Sequence, residues 1–468
     1  MQVSYLISRW VDSHEGEYLK DLERLIAVRS VREEAQPGAP FGPGPKAALE
    51  EALRICEEHG FKVTNYDNYV GTADMNDKPT TLDILAHLDV VGEGDGWDTD
   101  PYKLVVKDGL VYGRGTDDDK GPALMALYAM QCVRELGLPL AANCRLIMGT
   151  DEESGSEDLE YYYAKERPAP HSVTPDTEFP VYNTERGGYK PVFTRHWAAE
   201  SALPRVSSLS GGYRINVLPA DASAVVLGLD KAAVESVCVP LAKELDVSLT
   251  LAEAEGGVCL AVSGKASHAA HPEEGVNGIT ALIALLLALP LADTESRKAL
   301  AALKECFPHG DGAGKGLGIN MGDAVSGDLT VAFSLLSMDE TGISGQFDSR
   351  VPLCATEENC KAVTEAKLGS FGFDVSGDMA PCHHTPADSP FVKTLLRSYE
   401  QYTGNKGECL SMGGGTYVHD VPGGVAFGAG MPGFVSNLHG ANERAEIRSL
   451  LTAMKIYAQV IYDLCREG

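Results

Sequence analysis

Residues 82–91 read L-D-I-L-A-H-L-D-V-V, an apolar run of strand length that closes on a histidine and an aspartate. Past Gly121 the stretch P-A-L-M-A-L-Y-A-M-Q-C-V-R-E-L-G has helical character, with Pro122 tolerated in its first turn and Gly137 at its end. Cys144 to Gly149 is a second run of buried-strand type. Strand, helix and strand in this order predict an α/β domain with a mostly parallel sheet flanked by helices, which collects ligands at the C-terminal ends of its strands.

Working outward, Tyr18 to Val28 carries apolar residues at helical spacing, and Lys46 to His59 predicts a second helix ended by Gly60. Tyr102 to Tyr112 predicts a hairpin turning at Asp108-Gly109. Beyond Glu185-Arg186-Gly187-Gly188 the acid-rich segments give way to strand-like stretches at 222–229 and 247–252 and an apolar helix from Gly278. Pro390 to Tyr402 opens a further helix that leads to a glycine-rich loop and His439. A chain of 468 residues exceeds the roughly 250–300 at which a single core stops growing. The expected organisation is an inserted α+β domain over 187–385, flanked by two pieces, 1–186 and 386–468, of one site-bearing domain.

Lysine and arginine number 39 against 67 acidic residues, a net charge of −28 that disfavours nucleic acid and anionic membrane surfaces as partners. The 11 cysteines include no C-x-x-C pair and fit a reducing cytoplasm better than a disulfide framework. The N-terminus turns polar too early for a signal peptide. The greasiest stretch, Ile279 to Leu291, falls short of the roughly 20 apolar residues that span a bilayer.

The chemistry gathers after the predicted strands. Histidine and aspartate two apart on a strand leave on one face, so Asp89 can accept the second N–H of His87 and fix its tautomer for metal ligation. Asp117-Asp118-Asp119, between G-R-G and K-G-P, places three acids that repel unless cations compensate them, and one could bridge two metals. In Asp151-Glu152-Glu153-Ser154 one glutamate can hold metal while its neighbour takes a proton from water. Asp176, in T-P-D-T-E-F-P, and His439, in N-L-H-G-A-N-E, add a further carboxylate and imidazole. Each alone is also compatible with a strand-end histidine, an acidic helix N-terminus or a solvated loop; their coincidence favours a hydrolytic metalloenzyme.

The ordered segments H-L-D-V-V, G-R-G-T-D-D-D-K-G-P, G-T-D-E-E-S-G, T-P-D-T-E-F-P, G-K-A-S-H-A-A-H-P-E-E-G-V-N-G-I, G-G-G-T-Y and H-G-A-N-E resemble the dinuclear metallopeptidase family of aminoacylase, carnosinase and bacterial dipeptidases, most of all its dipeptidase V branch. That resemblance implies two divalent metal ions per chain, zinc first, with manganese or cobalt as alternatives. It implies His87 and Asp176 on one ion, Glu153 and His439 on the other, and Asp118 bridging, across a cis peptide to Asp119. Glu152 becomes the general base and Asp89 the residue that orients His87.

The inserted domain resembles the family's lid, in which His268 matches the histidine that stabilises the oxyanion. Asn216 and Arg350 match substrate-contacting positions, and Gly413, Gly414, Gly415 and Thr416 offer backbone N–H groups to a substrate carboxylate. The implied substrate is a small unblocked peptide, a dipeptide first. An N-acyl amino acid deacylase would use the same ligands and base, and a catalytically silent peptide- or metal-binding protein would keep only the fold. A monomer is favoured over a dimer formed through the lid.

Overall fold

The computed structural model describes residues 3–466. The chain divides into two compact units, one of Met1–Thr184, His384–Leu410 and Gly415–Gly468, the other of Glu185–His383 and Ser411–Gly414. Each has its own apolar core.

In the first unit the sheet runs, edge to centre, Lys62–Tyr66, Val70–Asp74, Asn143–Gly149, Thr80–His87, His171–Thr174 and Val425–Ala426. The last four are mutually parallel. The outer hairpin pairs antiparallel, within itself and with Asn143–Gly149, so the sheet is mixed rather than mostly parallel. The cause is local: Asp67 and Asn68, at φ 53° and 63°, reverse the chain between Tyr66 and Val70. A parallel neighbour would need a crossover of about a dozen residues or more.

Helix Lys120–Glu135 follows the G-R-G-T-D-D-D segment and packs on Thr80–His87. Its residues from Lys120 to Val133 are all buried, which explains why it is apolar all round rather than striped. A Cβ on Gly121 would lie 2.1 Å from the Thr116 carbonyl oxygen, so only glycine lets the helix start this close to the preceding loop. Helices Val3–Ile26 and Ile447–Cys465 pack against it. The first is longer than its sequence suggested, because Ile7, Trp10 and Val11 continue the buried stripe of Tyr18, Leu22 and Leu25 across the polar stretch around Gly16. The hairpin of Val105–Lys107 and Leu110–Tyr112 turns at Asp108-Gly109, both at positive φ.

The second unit is built on an antiparallel sheet in the order Ser248–Ala254, Gly257–Ser263, Asp221–Leu227, Arg205–Gly211, Thr330–Met338, Gly342–Val351, Val192–His196 and Asp374–Ser376. Helices Lys231–Glu244, Gly278–Ala288 and Glu295–Cys306 pack on it. Side chains of Asp230, Asn277 and Thr294 accept from the first free N–H groups of these helices. The greasy stretch is the buried helix Gly278–Ala288. Among the described residues, no helix is long and apolar enough to cross a membrane.

Candidate metal centre

Strand Thr80–His87 ends in a fully buried histidine. Its Nε2 lies 2.9 Å from Asp118 Oδ1 and 3.7 Å from Asp176 Oδ2, and this buried nitrogen has no hydrogen-bond partner. On the other side of the same carboxylate, His439 Nε2 is 2.9 Å from Asp118 Oδ2 and 3.1 Å from Glu153 Oε1. Asp118 thus turns one oxygen to each histidine. His439 takes a left-handed backbone, φ 60°, uncommon for a residue with a side chain.

Ligand atoms of His87, Glu152 and Asp176 all lie within 4.8 Å of one another, as do those of Asp118, Glu153 and His439. Two ligands at about 2.0–2.1 Å from a tetrahedral zinc would themselves be roughly 3.3 Å apart, so both groups have cation-holding spacing. Beside them Asp117, Asp118, Asp176, Glu178, Met431 and Phe434 line a hollow of about 220 Å³. The Asp118–Asp119 peptide is cis.

The electrostatics of the cluster ask for positive charge. Burial first, and then the charge of Asp118, pushes Asp176 up to about 7. Glu152 is driven well above the carboxylate range by burial and by the charge of Asp176. Burial would also raise Asp118, but the imidazoles of His439 and His87 beside it outweigh that and hold its carboxyl low. The same contact to Asp118, followed by that to Glu153, raises His439 to about 10. Protons occupy the same lone pairs that a divalent cation would, and the two compete. The mixed carboxylate and imidazole donor set, with an orphaned imidazole nitrogen aimed at two carboxylates, fits such ions.

Asp89 sits differently from the sequence expectation. The nearest acceptor for His87 Nδ1 is the Asp89 main-chain oxygen at 3.0 Å, whereas the Asp89 carboxylate is 3.5 Å away. Its two oxygens instead accept from the N–H groups of Glu152 and Glu153, at 3.2 and 3.1 Å. The strand ends at His87, so the alternation that would align the two side chains stops there. Asp89 is in effect the pedestal of the acidic turn.

Two further residues shape that turn and carried no separate signal in the sequence. Buried Asp158 accepts from the N–H groups of Thr150 and Asp151 and from the Tyr417 hydroxyl. The Tyr417 ring stands edge-on to His87, 6.2 Å between centroids. A Cβ on Gly149 would fall 1.9 Å from the Tyr417 hydroxyl oxygen, so the strand end must be glycine for tyrosine to reach it.

Within the second unit, Ser267–His268 pairs with Val217–Leu218, and Ala269 N–H donates to the Asn216 carbonyl. His268 and Asn216 are therefore neighbours. Burial, followed by the charge of Arg350, lowers His268. Arg350 donates through Nε and Nη2 to both Asp348 oxygens, at 2.9 and 3.0 Å, and through Nη1 to the Gly413 carbonyl at 2.6 Å. One edge of its fork is thus already engaged. A Cβ on Gly413 would meet Arg186 Nη2 at 2.6 Å, whereas Gly414 faces open space. Arg186, read in the sequence only as a boundary, belongs to this basic group. Gly415 and Thr416 belong to the first unit.

Strand ends and loops that bring imidazoles and carboxylates into two ligand groups, with Asp118 between the two histidines, define a metal-dependent hydrolase. The chain belongs to peptidase family M20/M25/M40, whose model matches residues 84–463. It is 33% identical over 463 residues to the beta-Ala-Xaa dipeptidase of Lactobacillus delbrueckii subsp. lactis, covering 96% of each. Among solved structures it resembles human carnosine dipeptidase 1, at 17% identity and a TM-score of 0.60 over 99% of each chain. The aminoacylhistidine dipeptidase of Vibrio alginolyticus is similar at 14% identity and a TM-score of 0.59, covering 96% of this chain and 97% of that one. The protein is a metal-dependent peptidase.

Proposed function

We propose that the protein hydrolyses the peptide bond of short unblocked peptides, dipeptides first. The observation that carries this reading is Asp118, whose two oxygens face the histidines of two separate ligand groups. The 33%-identical relative named as a beta-Ala-Xaa dipeptidase supports the substrate class.

His87 and Asp176 would hold one ion, Glu153 and His439 the other, and Asp118 both. Zinc is the first choice, with manganese or cobalt as alternatives. When bound, such a pair supplies a water of lowered pKa and a polarised carbonyl. Glu152 takes the proton of the attacking water on its carboxylate and passes it to the leaving amine. Asp89 holds Glu152 and Glu153 in place through their N–H groups. To the second unit we assign the part of a lid, with His268 stabilising the oxyanion and Asn216, Arg350 and the Gly413–Thr416 loop binding the ends of the peptide. The 11 cysteines are all free thiols, in keeping with a reducing cytoplasm, and we favour a monomer.

A substrate panel tests the proposal. Free dipeptides should be cleaved, with activity lost to a chelator and restored by zinc, manganese or cobalt. Hydrolysis of N-acetylated amino acids with no cleavage of free dipeptides would replace it with a deacylase.

A further inference from the structure

Glu443 closes the H-G-A-N-E segment that carries His439, and it is fully buried. Its carboxylate is hydrogen-bonded into the loop that leads to Asp118. Oε1 accepts from the N–H groups of Gly115 and Asp117, both at 3.0 Å, and of Asp118 at 3.3 Å. Oε2 accepts from Gly115 N–H at 3.1 Å and from Arg114 Nη1 at 2.7 Å. The Glu443 main-chain oxygen also takes the N–H of Gly113, at 3.1 Å.

Arg114, 1% exposed, extends the arrangement. Its Nη2 donates to the carbonyls of Gly440 at 3.1 Å and Gly92 at 3.4 Å, and its guanidinium lies over the Trp97 ring, 5.4 Å from the centroid. One buried ion pair thus joins the segments that follow His87, lead to Asp118 and follow His439. Here the carboxylate spends its capacity on the backbone of the bridging aspartate, and the guanidinium on the backbone next to a histidine.

We propose that Arg114 and Glu443 are positioning residues for the two-cation centre: they lock the Asp118 loop to the His439 loop and so fix the separation of Asp118 from His439. This rests on the two-cation reading above. Loss of the lock should loosen both ligand groups together, because Asp118 turns one oxygen to the histidine of each.

The same unit supplies its own control. Buried Asp83 pairs with half-buried Arg145 across the strands Thr80–His87 and Asn143–Gly149, at 2.9 and 3.0 Å, and their further bonds go to the backbone of Arg167 and Ala169. The experiment compares wild type, Glu443→Gln, Arg114→Lys and Asp83→Asn as full-length apoproteins. Each is titrated with cobalt(II), followed by visible absorption and by bound metal, with thermal unfolding and steady-state kinetics in parallel.

In Glu443→Gln, cobalt affinity should fall about 10–100-fold, the range for losing a group that orients metal ligands, with an altered absorption band. At limiting metal kcat should fall more than KM rises, and saturating metal should restore much of it. Arg114→Lys, which keeps the charge, should fall between Glu443→Gln and wild type, and it decides the matter if Glu443→Gln does not fold. Asp83→Asn should lower thermal stability without changing the cobalt band. If Glu443→Gln or Arg114→Lys loses stability yet binds two cobalt ions at wild-type affinity with an unchanged band, the pair is structural only and the proposal is overturned. Failure of wild type itself to bind two ions would instead overturn the two-cation reading on which it stands.

Discussion

Asp83 and His87 share one strand and are both fully buried, yet they meet opposite surroundings. Midway along the sheet, Asp83 receives two N–H bonds from Arg145 and one from the Ala169 backbone, so both its oxygens are hydrogen-bonded where they lie. At the strand's end, His87 looks out on Asp118, Asp176 and Glu152, and the side chains that pair with Asp118 and Asp176 there are imidazoles. Buried acid with a dedicated arginine is architecture. Buried acid crowded against acid, with an imidazole nitrogen left orphaned, is a place built for something positive.

The sharpest way to break this contrast is Glu152→Ala. It should keep both metal ions while turnover falls by about 10²–10⁴-fold, as expected for loss of a general base. Full activity in that variant would remove Glu152 from the mechanism. Asp83→Asn should do the reverse: removing one partner of a buried pair costs about 3–5 kcal/mol of stability, measured by denaturant unfolding, while metal content and kcat per folded molecule stay at wild-type values. A change in metal content there would erase the distinction between the two ends of the strand.

In the second unit, His268→Ala should lower kcat about 10²–10³-fold with little change in metal content, the range for an oxyanion donor. An unchanged kcat would confine that unit to other work. The smallest effect is expected from Tyr417→Phe, which removes one hydrogen bond to Asp158 but leaves those from Thr150 and Asp151. It should cost about 1.5–3 kcal/mol of stability and lower kcat only modestly, because the base turn keeps its seat on Asp89. A metal-free protein from Tyr417→Phe would show that the turn has no such reserve.

The sequence made the centre of this sheet legible because each site-bearing strand is short, apolar and closed by an acid or a histidine. His87, Glu152, Glu153 and Asp176 announce themselves by that position, Asp118 by its run of acids before a helix and His439 by its H-G-A-N-E segment, and the structure brings them together in two groups. The parts that did not show are partnerships between segments far apart in the chain. Nothing in the spacing near Asp158 says that a tyrosine at 417 will reach it, or that Glu443 will thread its carboxylate under Asp118. Asp89 was found for its nearness to His87, but its oxygens went to the Glu152 turn, a choice set by where the strand stops. The antiparallel edge was likewise hidden, since two positive-φ residues at 67 and 68 decide it without any hydrophobic pattern.

The central claim is a pair of cations held through Asp118 and needed together for peptide hydrolysis. Titrating the metal-free protein with zinc, while following bound metal and cleavage of a free dipeptide, tests it most directly. The account predicts activity that rises to a plateau as the second equivalent binds, and loss of that second equivalent in Asp118→Asn. Full activity at one equivalent, or two ions held as tightly by Asp118→Asn as by wild type, would contradict it.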